Sequence, residues 1–202
     1  PFEISIIAGV IAAAAIGYLV GSLAIRRQGI YFSMITLALS QLIYFIYLQA
    51  PFTGGEDGIQ GIPRGKLLGM IDLENDLVFY YVVLAIFLFG FWLVYRTIHS
   101  PFGQVLKSIR ENEPRAISLG YDVDKYKLLA FVISAGLAGL AGSTKTISLH
   151  LASLTDVTWQ ASGEVVLMTL LGGLGTILGP VVGAIIVVTL QNYLASYGSW
   201  VT

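Results

Sequence analysis

The sequence predicts an all-α, polytopic helical membrane protein, with about five to six transmembrane or re-entrant helices and two short helices on a loop between them. Three observations predict this. Of 202 residues, 56% are hydrophobic and only 11% charged, where a soluble domain carries about a quarter charged residues; mean hydropathy is +0.80. Several apolar runs approach or exceed the ~20 residues that a helix needs to cross a hydrocarbon core of ~30 Å. The basic residues are clustered: six of the eleven Lys/Arg fall between Arg96 and Lys127. A net charge of -1 with so few, grouped cations argues against nucleic acid as a partner. The absence of cysteine removes a disulfide framework, a thiolate nucleophile and a cysteine metal site.

The first span runs from Ile4 to Ile25 and contains Ala12 to Ala15 and the pair Gly17 and Gly21. Small residues four apart let helices approach closely in lipid. Arg26 and Arg27 close it. The second span, Tyr31 to Ala50, carries Ser33, Thr36, Ser40 and Gln41 near one helical face. Polar groups at membrane depth turn to protein or to a water-filled path. Both readings are open for these four.

Residues 51–76 hold five acidic and two basic residues and six glycines. That glycine density implies positive-φ turns, and Ile59, Ile62, Leu67, Leu68 and Met70 supply apolar packing for a compact external loop. Thr53, Gly54, Gly55, Glu56 and Asp57 are its candidate contact residues, with Glu56 and Asp57 read either as attracting a cationic group or as a solvated turn. Leu77 to Ile98 is the third span, with Tyr80, Tyr81, Trp92 and Tyr95 near its ends as interfacial aromatics.

Residues 99–127 interrupt the apolar pattern. Ser100 reads as an N-cap with Pro101 at the first helical position. Phe102, Val105, Leu106 and Ile109 recur at i, i+3, i+4 and i+7, an apolar stripe on a short helix. Pro114 opens a second short helix with Ala116, and Gly120 stands just past its end. Positive-inside bias puts this loop and Arg26-Arg27 in the cytoplasm, and alternation puts 51–76 outside.

Leu128 to about His150 is the fourth span, dense in Gly and Ala. Lys145 near its far end either snorkels to the interface or faces a solute path. A polar loop from Ala152 to Gly163 leads to Glu164, read as a helix N-cap or a functional carboxylate. One straight helix from Glu164 to Tyr193 would be about 45 Å long. The run Gly172 to Pro180 is where it should break.

No catalytic or metal constellation is present. His99 and His150 are expected at opposite faces, there is no paired-histidine or nucleophile-elbow motif, and the 172–179 run lacks the Lys-Ser/Thr of a phosphate loop. We expect no enzyme, cofactor or metal.

Together, GIYFSMITLA (29–38), TGGEDGIQGIP (53–63), SPFGQVLKSIRENEPRAISLGYDVDKYKLLAF (100–131), AGLAGLAG (135–142) and EVVLMTLLGGLGTILGPVVGA (164–184) cover most of the chain. In that order they resemble the membrane permeases of bacterial branched-chain amino acid ABC importers, the LivM-like branch of the LivH/LivM family. The resemblance implies a single transmembrane permease domain over 1–202, with residues 99–127 as a two-helix cytoplasmic coupling loop and 164–193 as a helix pair broken near 172–180. It also implies ABC ATPase subunits, a second permease making a heterodimer, an external solute-binding protein and the bacterial inner membrane. In the family's E-A-A-x-x-x-G-like loop, Gly120 fits the terminal glycine and Ala116 the second alanine, while Pro114 and Arg115 take the first two places and Glu113 lies one residue early. The ATPase-coupling set is then Phe102, Val105, Leu106, Ile109, Arg110, Glu113, Ala116 and Gly120, and Ser33, Thr36, Ser40 and Gln41 become solute-path candidates. The mechanism implied is ATP-driven alternating access. Because Pro1 leads straight into an apolar run, we read the chain as part of a longer membrane protein. A urea or short-amide permease, and an ATP-independent secondary transporter, are the alternative functions.

Overall fold

The computed structural model describes residues 2–67 and 71–198, without the side chains of 52, 56, 66, 67, 71 and 195–198. The fold is all-α. Among the described residues eight α-helices follow in order: α1 (Phe2–Ala24), α2 (Ile30–Gln49), α3 (Asp76–Ile98), α4 (Pro101–Glu111), α5 (Glu113–Ser118), α6 (Val123–Leu149), α7 (Trp159–Gly172) and α8 (Gly179–Gly198). Among the described residues, α1, α2, α3 and α6 are long and apolar enough to cross a membrane, which makes this a polytopic membrane protein. The chain divides into two compact units, Pro1–Ser153 and Leu154–Thr202.

The first unit is built on α1 against α6. Their seam is made of small residues, so the backbones come close. A methyl placed on Gly139 would lie 2.5 Å from Ala13 Cβ and 2.8 Å from the Gly9 carbonyl, and one on Gly17 would lie 2.4 Å from Ala135 Cβ. In lipid, where apolar burial no longer drives helices together, such close van der Waals contact does so. At one end of this pair Phe2, Ile6, Leu73, Phe79 and Ile147 form an apolar cluster. At the other, Ile109, Ala116 and Val123 form a second.

Short extended pairs tie down the loops near the first cluster. Strand β1 (Ile59–Gln60) pairs antiparallel with β4 (Leu151–Ala152), and β2 (Lys66–Leu67) pairs antiparallel with β3 (Ile71–Asp72). Of the apolar residues expected to pack here, Ile62 is half-buried and Ile59 is exposed. Leu68, Met70 and the side chain of Leu67 lie outside the described residues.

Two boundaries differ from expectation. Helix α6 starts at Val123 rather than Leu128, because Asp122 caps it by accepting from the Lys125 amide at 3.3 Å. Lys125 and Lys127 therefore sit on its first turns and not on a loop. Helix α7 starts at Trp159, so Glu164 is inside the helix and is not its cap. Its carboxylate instead accepts a hydrogen bond from Gln191 of α8.

The second unit is the α7–α8 hairpin. Helix α7, with 14 residues, is about 21 Å long, short of the ~30 Å core. Residues 173–178 turn the chain, with positive φ at Gly173 and Gly175. The helices then touch backbone to backbone: a methyl on Gly183 would lie 1.8 Å from the Met168 carbonyl.

Candidate functional site

The α4–α5 segment is held by local chemistry at each end. Ser100 accepts from the Gly103 amide at 3.3 Å and donates to the Thr97 carbonyl at 2.6 Å, with Pro101 next in line. Gly103 is required because α4 folds back over the end of α3: a methyl there would lie 2.3 Å from the Ile98 carbonyl. Asn112 caps α5 by accepting from the Arg115 amide at 3.1 Å. Helix α5 ends in a complete Schellman motif. The Gly120 amide donates to Ile117 O at 2.9 Å and the Tyr121 amide to Ala116 O at 3.2 Å, with Gly120 at φ 87°. This left-handed residue is why glycine stands at 120.

Tertiary packing sorts the candidate coupling residues into two groups. Ile109 and Ala116 are buried against Val123, with Val105 and Leu106 packed beside them, and Phe102 stacks on Tyr126 at 5.5 Å. These residues fasten the two short helices to α6. The face left open carries Arg110, Gly120, Lys107, Arg115, Ile117 (56% exposed) and Leu119 (67% exposed).

Glu113 turns inward. Its Oε1 accepts from Lys127 Nζ at 2.7 Å and from Gln28 Nε2 at 3.0 Å. The Glu113 and Lys127 side chains are 26% and 28% exposed. One carboxylate thus links α5, the first turns of α6 and the α1–α2 turn. Pattern reading missed Gln28, and missed Lys127 as its co-partner, since the residues lie 85 and 14 positions from Glu113. Beyond this link, Asp122 pairs with Lys125 at 2.7 Å, and the hydrogen bonds from Lys125 hold its carboxyl below the usual carboxylate range.

On α2, the Thr36 hydroxyl donates to Phe32 O and Ser33 O, and Ser40 to Leu37 O. They are satisfied within their own helix. Of the four, Ser33 is exposed and Thr36, Ser40 and Gln41 are half-buried, and no described residue of α2 is fully buried.

At the opposite end, Thr53 donates to Tyr47 O at 2.5 Å and Ala50 O at 2.7 Å, closing α2 onto the loop. Gly54 and Gly55 follow at positive φ, and Glu56 and the exposed Asp57 lie on a short 3-10 turn. His150 clamps this loop: Nδ1 donates to Ile62 O at 2.7 Å, and the Ile62 amide donates back to His150 O at 3.3 Å. Arg64, which drew no notice in the sequence, is 16% exposed, pairs with Asp76 at 2.6 Å and covers the Phe79 ring at 4.5 Å. Lys145 lines an apolar groove of about 540 Å³ between α3 and α6, beside Thr144 and Phe87.

The family described as "Branched-chain amino acid transport system / permease component" matches residues 1–202. The chain belongs to this permease family. It is 28% identical to the high-affinity branched-chain amino acid transport system permease protein LivM of Escherichia coli (strain K12), over 96% of this chain and 51% of that one. It is 28% identical to the probable LivM of Methanocaldococcus jannaschii over 95% of this chain and 57% of that one. With the ribose import permease protein RbsC of Bacillus subtilis (strain 168) it shares 30% identity, over 82% of this chain and 51% of that one. The chain spans about half the length of these relatives. No solved structure matches it.

As a member of this permease family, the chain presents two ends of different chemistry in its first unit. One holds the α4–α5 segment, Arg26, Arg27 and Arg96; the other holds the glycine-rich loop, His150 and the Arg64–Asp76 pair. These relatives are named as permeases.

Proposed function

We propose that this protein is the membrane-spanning permease part of an ABC importer that moves branched-chain amino acids by ATP-driven alternating access. The observation that carries the reading is the α4–α5 segment. It is a capped pair of helices between two spans, bonded to three other elements and open on one basic and apolar face. The glycine run at 172–179 lacks the Lys-Ser/Thr of a phosphate loop, and an open basic and apolar face of this kind suits an ATPase subunit. The family match over the whole chain supports the solute class.

In this reading the α4–α5 end is cytoplasmic, as its cations require under the positive-inside rule, and the loop 51–76 faces an external solute-binding protein. A second permease subunit covers the uncovered faces of the spans in the bacterial inner membrane. Docking is through Arg110, Arg115, Ile117, Leu119 and the Gly120 turn, while Phe102, Val105, Leu106, Ile109 and Ala116 act behind that surface. Movement of the ATPase subunits pushes α5. The buried cluster passes the push to α6, the Gly103 contact passes it to α3, and Glu113 passes it to the α1–α2 turn. Ser33, Thr36, Ser40 and Gln41 lie along the solute path, their hydroxyls able to exchange helix carbonyls for solute. Thr53 to Asp57 are the first loop residues an incoming solute carrier meets.

The test is affinity purification of the full-length protein from its host membrane, followed by ATP-dependent leucine uptake in reconstituted vesicles. Co-purification of an ATPase and a second permease is expected. Ile117→Glu with Leu119→Glu should release the ATPase and abolish uptake while the protein still inserts. Retention of the ATPase by that double variant would sink the docking role. The similarity to a ribose permease makes a sugar the second reading for the solute, so uptake is challenged with ribose, and with urea, beside leucine.

A further inference from the structure

Between the α1–α2 turn, α4, α5 and the start of α6 lies a cavity of about 650 Å³. Its size is within the ~300–1,000 Å³ of small-ligand sites. Its walls combine two chemistries. Phe32 and Phe131, in edge contact at 6.3 Å, with Leu106 and Ile25, make an apolar side. Glu113, Lys127 and the exposed Arg27 make a charged side.

The Glu113–Lys127 pair is not explained by stability alone. Replacing a buried ion pair with apolar residues of similar volume is often neutral or stabilising, and this partly buried pair already has Ile25, Phe32, Leu106 and Phe131 beside it. The pair also leaves capacity unused. Both bonds to Glu113 end on Oε1, so among the described residues Oε2 accepts none. Lys127 Nζ has three donors and directs one of them to Glu113. Arg27 makes no ion pair among the described residues.

We propose that this cavity binds a zwitterionic amino acid with an apolar side chain. The ligand's ammonium donates to Glu113 Oε2, its carboxylate accepts from Lys127 Nζ and the Arg27 guanidinium, and its side chain lies on Phe32, Phe131 and Leu106. Neither charge alone suffices, because a lone anion meets Glu113 and a lone cation meets Lys127 and Arg27. The site lies apart from the α2 polar face and rests on the transport reading only for the choice of leucine as probe. Since Gln28 and Glu113 both line the cavity and join the α1–α2 turn to α5, occupancy is passed directly to α5.

The test is calorimetric titration of the full-length protein in lipid nanodiscs with L-leucine, 4-methylpentanoate, which lacks the ammonium, and 3-methylbutylamine, which lacks the carboxylate. Leucine should bind, and each one-charge analogue should be weaker by about tenfold or more, the worth of one charged hydrogen bond. Glu113→Gln and Lys127→Gln should each cost leucine affinity by about the same factor. Because those two variants also break an internal ion pair, Arg27→Gln is the control: it leaves that pair intact, so leucine affinity should fall with no change in the unfolding midpoint. The proposal is overturned if leucine does not bind, if either analogue binds as tightly, or if both Glu113→Gln and Arg27→Gln keep wild-type affinity. ATP-dependent uptake is scored separately. Binding with both charges required but no uptake removes the transport reading and leaves the site, whereas uptake with variant-insensitive binding removes the site alone.

Discussion

The Tyr121 amide donates to the Ala116 carbonyl at 3.2 Å, so the chain doubles back over the last turn of α5 and seals Ala116 beneath it. Gly120, at φ 87°, makes this possible. Gly120→Ala should cost about 1–2 kcal/mol, the penalty of a left-handed residue with a Cβ. Gly120→Asn should cost less, since asparagine tolerates that region. Unfolding midpoints in detergent, with limited proteolysis at 117–123, check both. Equal stability of the Ala and Asn variants would contradict the motif.

The α1–α6 seam predicts opposite outcomes for two neighbouring glycines. Gly139→Ala drives a methyl into Ala13 and the Gly9 carbonyl and should destabilise by about 1–3 kcal/mol, as overpacking does. Gly142→Ala meets nothing within 4 Å and should stabilise by about 0.5–1 kcal/mol through helix propensity. Denaturant titration of the two purified variants gives the comparison, and the sign of the difference is the result that matters.

Because the chain has no cysteine, introduced pairs report contacts cleanly. Glu164→Cys with Gln191→Cys should cross-link within one chain, since these side chains hydrogen-bond across the α7–α8 hairpin. Adding Gly183→Leu should abolish the cross-link, because no side chain fits where a Cβ would lie 1.8 Å from the Met168 carbonyl. Cross-linking that survives the leucine would mean the helices do not meet as closely as described.

Asp122 carries a pH dependence whose sign is fixed. Its carboxyl is held below the ordinary carboxylate value by hydrogen bonds from the Lys125 side chain and amide. The stabilisation of the α6 start is therefore complete above the ordinary value and is lost as pH falls through the lowered one. Carbon-13 NMR titration of labelled aspartate should place Asp122 below the ordinary carboxylate range, and Lys125→Gln should raise it. An unchanged titration in that variant would remove Lys125 as the cause.

The helices themselves were legible because their signals are local. Hydrophobic length marks the four spans, Ser100-Pro101 and Gly120 punctuate α4 and α5, and the glycine run before Pro180 lies where α7 gives way to α8. Each depends on residues within a few positions of one another. The starts of α6 and α7 are not legible in the same way, since Asp122 caps a helix whose first five residues include three charged ones.

What the sequence by itself determined is therefore the class of protein, the order of its helices and the residues that end them, since backbone hydrogen bonding and lipid solvation act residue by residue. Only the tertiary structure decided which faces are spent. It buried Ile109 and Ala116, turned Glu113 inward to Lys127 and Gln28, and set Glu164 against Gln191. Such partners are brought together by packing between helices: the small-residue contacts of α1 with α6 and of α7 with α8, and the apolar cluster that fastens α4 and α5 to α6. No periodicity in one segment records which charge will stand across from it in another.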